Sequence, residues 1–120
     1  MKVNQLILNI TSEDPEALGA FYRDVVQLEP NAQVGSHAFN INGATLIIDG
    51  HSETKGRAKE PQRALINFMV DDLAAEQARL ETQGVQFIRK GGREYWGGVI
   101  STFLDPDGNY CQLMEFKPGG

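Results

Sequence analysis

Three short groups of side chains have the types and the spacing to line a binding site. Gln5, Ile7 and Asn9 alternate with Leu6, Leu8 and Ile10. Leu65, Asn67 and Met69 alternate with Ile66, Phe68 and Val70, and Tyr110, Gln112 and Met114 alternate with Cys111, Leu113 and Glu115. On a β-strand, residues i and i+2 share a face. Each group therefore presents a mixed wall, with one or two polar groups set in apolar surface. Such a wall can orient a small, mostly apolar molecule through a few hydrogen bonds.

Other residues add to this candidate set. Thr102 lies on the strand that leads into the last group. His37 stands at the start of a strand, where it can reach a pocket rim as a hydrogen-bonding group or base. His51 falls in a polar stretch, and neither histidine has a carboxylate or second histidine at ligand spacing. Tyr95-Trp96, in the glycine-rich run Gly91 to Gly98, has the aromatic area to stack on a planar or cationic ligand. That run is no phosphate loop, because a strand rather than a helix follows it. Cys111 shares parity with Leu113 and reads as a small core residue, and Arg93 and Glu94 read as a solvated loop pair. No Ser-His-Asp arrangement is visible.

The elements that must position these residues recur in one order. Lys2 to Ile10 reads as a strand. Asp14 then caps a helix that opens on Pro15 and carries Leu18, Phe21, Tyr22, Val25 and Val26 along one stripe. A short strand is expected around Ala32 to Val34. His37–Ile41 and Ala44–Ile48 flank Asn42-Gly43, the pair that a two-residue type I′ hairpin demands. The second half starts with a strand over 64–70. Asp71-Asp72 caps a helix that closes near Gly84, Val85–Arg89 is a short strand, and a hairpin joins Gly97–Leu104 to Tyr110–Phe116. The turn of that hairpin is Asp105-Pro106-Asp107-Gly108-Asn109, rich in residues that set turn geometry. Ile10 and Val70 lie half the chain length apart, so the order strand, helix, short strand, hairpin is duplicated.

The expected class is therefore α+β, with two βαβββ modules. Their half-barrel sheets would enclose a cavity, with the helices outside. The expected organisation is a single domain, with module one over about 1–50, a linker over about 51–63 and module two over about 64–117. The 120 residues, 41% hydrophobic and 22% charged, are ordinary for one compact domain. A net charge of −5 leaves no basic stripe to neutralise phosphates, which excludes a nucleic-acid footprint. It suits a neutral or cationic small ligand without selecting one. One cysteine, no apolar run long enough for a membrane span and no signal-like start together point to a cytoplasmic, unprocessed protein without membrane association.

Leu6-Ile7-Leu8-Asn9-Ile10 leads into Ala20-Phe21-Tyr22-Arg23-Asp24-Val25-Val26. Phe68-Met69-Val70-Asp71-Asp72-Leu73 and Phe103-Leu104-Asp105-Pro106-Asp107-Gly108-Asn109 follow in order. With the duplicated modules, these segments identify the chain as resembling the vicinal oxygen chelate superfamily, which holds glyoxalase I, fosfomycin-modifying enzymes, extradiol dioxygenases and bleomycin-binding resistance proteins. The resemblance implies metal ligands on the first and last strands of each module. Carried over, those positions fall on Gln5, Leu65 and Gln112, with a fourth among Leu46, Ile47 and Ile48. This sequence departs from the metal pattern at each of them. A divalent catalytic site needs about three imidazole or carboxylate ligands. Amides and leucine do not supply them, so the expectation is no metal and no cofactor.

The resemblance further implies a homodimer and a small-molecule ligand, held by Gln5, Ile7, Asn9, His37, Leu65, Asn67, Met69, Tyr95, Trp96, Thr102, Tyr110, Gln112 and Met114. Sequestration of an antibiotic or another hydrophobic or cationic compound is the most concrete form of that role. Two other roles stay open: a lyase, isomerase or dioxygenase-related enzyme with unusual site residues, and a regulatory or partner-binding module.

Overall fold

The computed structural model describes residues 1–117. The chain forms two compact units, Met1–Gly56 and Arg57–Gly120, each a four-stranded mixed sheet with a helix on one face.

In the first unit the strands are β1 (Ile7–Ser12), β2 (Glu29–Pro30), β3 (Ala38–Ile41) and β4 (Ala44–Gly50), in the order β1-β4-β3-β2. β1 starts later than the apolar alternation suggests. Its parallel ladder begins at Ile7 opposite Thr45 and ends at Ser12 opposite Gly50. Before Ala44 comes the hairpin turn, so Lys2–Gln5 have no β4 residues to pair with, and the ladder is extended only by Thr45 N–H donating to Leu6 O. The Asn42-Gly43 turn has φ values of 43° and 92°, the left-handed pair that type I′ requires. β2 lies at Glu29–Pro30 rather than at Ala32–Val34. Pro30 pairs with Phe39 on a sheet edge, where a missing N–H costs nothing, and residues 32–34 form a turn.

Helix α1 spans Pro15–Ala20, with Asp14 accepting from Ala17 N–H at 3.1 Å. It runs into a π-helical turn over Phe21–Val25, closed by Val26 N–H to Phe21 O at 3.0 Å. The apolar stripe predicted from Leu18 to Val26 thus spans two helical forms. Leu18 and Tyr22 are fully buried, as are Phe39, Leu46 and Ile48 on the sheet face that α1 covers.

The second unit repeats the plan with β5 (Ile66–Met69), β6 (Phe87–Arg93), β7 (Gly98–Leu104) and β8 (Tyr110–Phe116), ordered β5-β8-β7-β6. Helix α2 (Leu73–Thr82) is capped by Asp72, which accepts from Ala75 N–H. At its end Gly84 N–H donates to Glu81 O and Val85 N–H to Leu80 O, the paired bonds of a Schellman motif. The buried Asp105 carboxylate organises the β7–β8 turn. It accepts from Asp107 N–H, Asn109 N–H and the Asn109 amide, at 2.8–2.9 Å. Arg57 lies over Gly108 and donates to Pro106 O. Cys111, Leu113 and Phe103 are buried on the α2 side, as parity predicts.

Candidate functional site

In each unit one sheet face is covered by its helix, and the other carries the predicted site residues. In the first unit that helix-free face is built from Ile7, Asn9 and Thr11 on β1, Thr45, Ile47 and Asp49 on β4, and Ala38 and Asn40 on β3. Gln5 precedes β1, yet its amide donates to Thr45 Oγ1 at 2.7 Å and so reaches the same face. Asn9 donates to Asp49 at 3.1 Å, and Asn31 to Asn40 at 3.0 Å.

His37 departs from this set. It packs against α1 so closely that a Cβ on Gly19 would collide with its ring. Its Nδ1 is buried with no hydrogen-bond partner, and Nε2 lies 3.9 Å from Glu16. A cleft of about 260 Å³ beside α1 is lined by His37 together with Pro15, Val34, Ser36, Ile48 and Asp49. Its parity with Phe39 puts His37 on the covered side of the sheet, apart from Gln5 and Asn9.

In the second unit the registers draw a row straight across the helix-free face. Asn67 pairs with Gln112, Gln112 with Thr102, and Thr102 with Arg89. Gln112 donates to Thr102 Oγ1 at 3.0 Å, the same amide-to-threonine bond that Gln5 makes in the first unit. The next row is apolar: Met69, Met114 and Ile100 lie side by side and end at Gly92. Leu104 and Tyr110 form the row on the opposite flank, and Leu65 precedes β5 with the parity of Asn67.

Two glycines shape this face. A Cβ on Gly92 would fall on the Arg89 guanidinium, and one on Gly98 would fall on the Trp96 indole. The missing side chains let both groups come close against the sheet. Gly98 pairs with Phe116, so Trp96 covers the end of the same face. Arg89 Nη1 donates to Glu94 at 2.9 Å, which ties β6 to the start of the β6–β7 turn. Tyr95 is 98% exposed at the tip of that loop.

Arg89 and Glu94 belong to this face, although the sequence places Arg89 at the end of a short strand and Glu94 in a solvated loop. The ladder shifts between Phe87, Arg89 and Gly92, so simple alternation along β6 fails there. The signal was nevertheless present: paired glycines at 91–92 and 97–98 inside strand-like sequence mark a bulge or a close approach.

As a metal site these faces do not fit. Gln5, Leu65 and Gln112 supply two neutral amides and a hydrocarbon, and Leu46 and Ile48 face the core. Among the described residues no trio of His, Cys, Asp or Glu is grouped to hold a metal ion. Each face can present amide oxygens and apolar surface to a ligand, and the second unit's face adds a partly exposed guanidinium and an indole.

The sequence model described as the Glyoxalase/Bleomycin resistance protein/Dioxygenase superfamily matches residues 3–113. No curated protein matches the chain. Among solved structures, a glyoxalase family protein from Bacillus anthracis is similar at a TM-score of 0.76 with 20% identity, covering 98% of each chain. The antibiotic binding protein TnmS3 from Streptomyces sp. CB03234 is similar at a TM-score of 0.74 with 22% identity, over 98% of this chain and 99% of that one. A lactoylglutathione lyase from Agrobacterium tumefaciens gives a TM-score of 0.73 with 22% identity, over 99% and 98%. At these identities the likeness is one of fold.

Proposed function

The chain belongs to the glyoxalase/bleomycin resistance protein/dioxygenase superfamily, and within it we propose that this member is a metal-independent binder of a small, largely apolar, planar compound. One observation carries the reading. Where metal-dependent chemistry needs imidazole or carboxylate, Gln5 and Gln112 are amides engaged with Thr45 and Thr102. An amide held by a threonine keeps a carbonyl oxygen for a ligand and offers a divalent cation no charge. On the second unit's face Met69, Met114, Tyr110 and Trp96 supply contact area, and Leu65, Asn67 and Thr102 complete the wall; on the first unit's face Ile7 and Asn9 do the same beside Gln5. Sequestration of a toxic compound such as an antibiotic is the cellular role that this reading suggests. The likeness to TnmS3 is in keeping with it through the fold alone.

The proposed assembly is a cytoplasmic homodimer. β1 is an edge strand whose first residue, Ile7, is 54% exposed, and Leu6 just before it is 67% exposed. An apolar edge of this kind is a template for pairing, which soluble proteins otherwise block with charge. No helix among the described residues is long and apolar enough to cross a membrane.

The test has two arms. Metal analysis of the purified protein before and after a chelator should show no stoichiometric metal and no change in thermal midpoint. Titration of a panel of neutral and cationic planar compounds should shift or quench the emission of Trp96, the only tryptophan, with saturation. Stoichiometric metal whose removal unfolds the protein would point to the enzyme reading. Silence across the panel would favour a protein partner.

A further inference from the structure

Asn67 and Gln112 stand side by side on the second unit's helix-free face, as partners in the parallel ladder of β5 and β8. Gln112 is held in one orientation. Its Nε2 donates to Thr102 Oγ1 at 3.0 Å on β7, and Thr102 is buried. The nitrogen and oxygen of a planar amide diverge from the carbon that carries them. With Nε2 turned to β7, Oε1 is left on the side of β5, where Asn67 stands. Gln5 is set in the same way on the first unit, its Nε2 donating to Thr45 Oγ1 at 2.7 Å.

That oxygen is open to solvent. Gln112 Oε1 makes no hydrogen bond among the described residues, and His37 Nδ1 is the one buried side-chain polar atom among them that lacks a partner. Asn67 is exposed, and its amide makes no hydrogen bond among the described residues either. Neighbouring strands lie about 4.8 Å apart. An acceptor of fixed direction thus stands one strand away from an amide free to turn its N–H toward the same molecule.

Such a pair complements the edge of a lactam, where N–H and C=O lie on one side. The row of Asn67, Gln112 and Thr102 carries no charge. A carboxylate would set its lone pairs against Oε1, and an ammonium would find no counter-ion in the row. Met69 and Met114 form the next row, about 7 Å along the strands. That is within the span of a fused bicyclic ring, and thioethers adapt to a flat aromatic surface.

We propose that this face is a subsite for a planar lactam or imide. The ligand N–H donates to Gln112 Oε1, the ligand carbonyl accepts from Asn67 Nδ2, and the ring lies over Met69 and Met114. Thr102 is a positioning residue that holds Nε2 and so aims the oxygen. The proposal rests on the small-molecule-binding reading above and narrows it from hydrophobic or cationic compounds to a neutral one with an amide edge.

Calorimetric titration with isocarbostyril, a fused bicyclic lactam, and isocoumarin, the lactone with a ring oxygen in place of the N–H, tests it. The wild-type protein should bind the lactam about tenfold more tightly, because the lactone leaves Oε1 without a donor. Q112M should abolish that preference. N67A should weaken lactam and lactone alike by severalfold and keep the preference, since both carry the carbonyl. A preference that survives in folded Q112M overturns the proposal. So does an unchanged lactam affinity in N67A, which decides the matter if Q112M fails to fold. A wild type that does not prefer the lactam overturns the subsite and leaves the binding function standing. Binding of neither compound overturns the subsite, and the neutral and cationic panel then judges the function separately.

Discussion

Replacing Gly98 with alanine tests whether the helix-free face of the second unit is built as described. The φ of Gly98 is not in the left-handed region, so the added methyl acts through space alone. It would collide with the Trp96 ring, whose Cζ2 atom would be 2.7 Å away and whose Cη2 and Cζ3 atoms would be closer still. Carbon atoms rest at about 3.5–4.0 Å, so the ring must retreat by roughly 1 Å or more. Trp96 is 40% exposed. Lifting the ring fully would uncover on the order of 100 Å² of apolar surface, about 2.5 kcal/mol at about 25 cal/mol per Å². A partial swing, together with a gain of about 0.5 kcal/mol from stiffening the unfolded chain, brings the expected loss to about 1–2 kcal/mol. Urea unfolding measures the loss, and Trp96 emission should move to longer wavelength as the ring enters water. Binding of a planar ligand should weaken in parallel. A variant with parental emission and parental stability would refute the placement of the indole on the sheet, and the stacking surface with it.

Three further outcomes follow from other contacts. Asp105→Ala removes a buried carboxylate that accepts three hydrogen bonds in the β7–β8 turn. It should cost about 3 kcal/mol in urea unfolding, and a loss below about 1 kcal/mol would show that the turn holds without it. Under the proposed dimer, Ile7→Lys puts a charge on the exposed β1 edge and should shift sedimentation to monomer with circular dichroism unchanged; a parent that is already monomeric would refute the dimer, and a variant that stays dimeric would place its interface elsewhere. Glu81 has its carboxyl held below its ordinary value of 4.5, chiefly by the hydrogen bond from Lys90 and next by that from Gln77. Its contribution is present above the ordinary value and is lost as pH falls through the lowered one. Glu81→Gln should therefore flatten the acid limb of the stability profile below about pH 4.5, and an unchanged limb would assign that slope to other carboxylates.

The local signals in this chain were legible because each is decided within a few residues. Asp14 with Pro15, Asn42 with Gly43, and Asp72 with Gly84 set their caps and turn through their own side chains and φ angles. The period-two pattern placed Gln112, Met114 and Tyr110 together and Cys111 opposite them. That was enough for the duplicated fold and for most of the two walls.

What needed the tertiary structure depends on pairing between distant segments. Where β1 starts is decided by where β4 starts, across the hairpin turn. The place of β2 is decided by Phe39 and Asn40, its partners in the ladder. His37 has the spacing of a rim residue, but the close approach of α1 at Gly19 puts it on the covered side. Arg89 joins Thr102 and Gln112 only because β6 is bulged, and an inserted residue reverses the parity on which any reading of alternation relies. Sequence by itself determined which faces exist, since alternation is a property of the chain. Only the folded sheet decided which side chains lie across those faces, because a bulge, a ladder start and a glycine's empty space acquire meaning from the strand alongside.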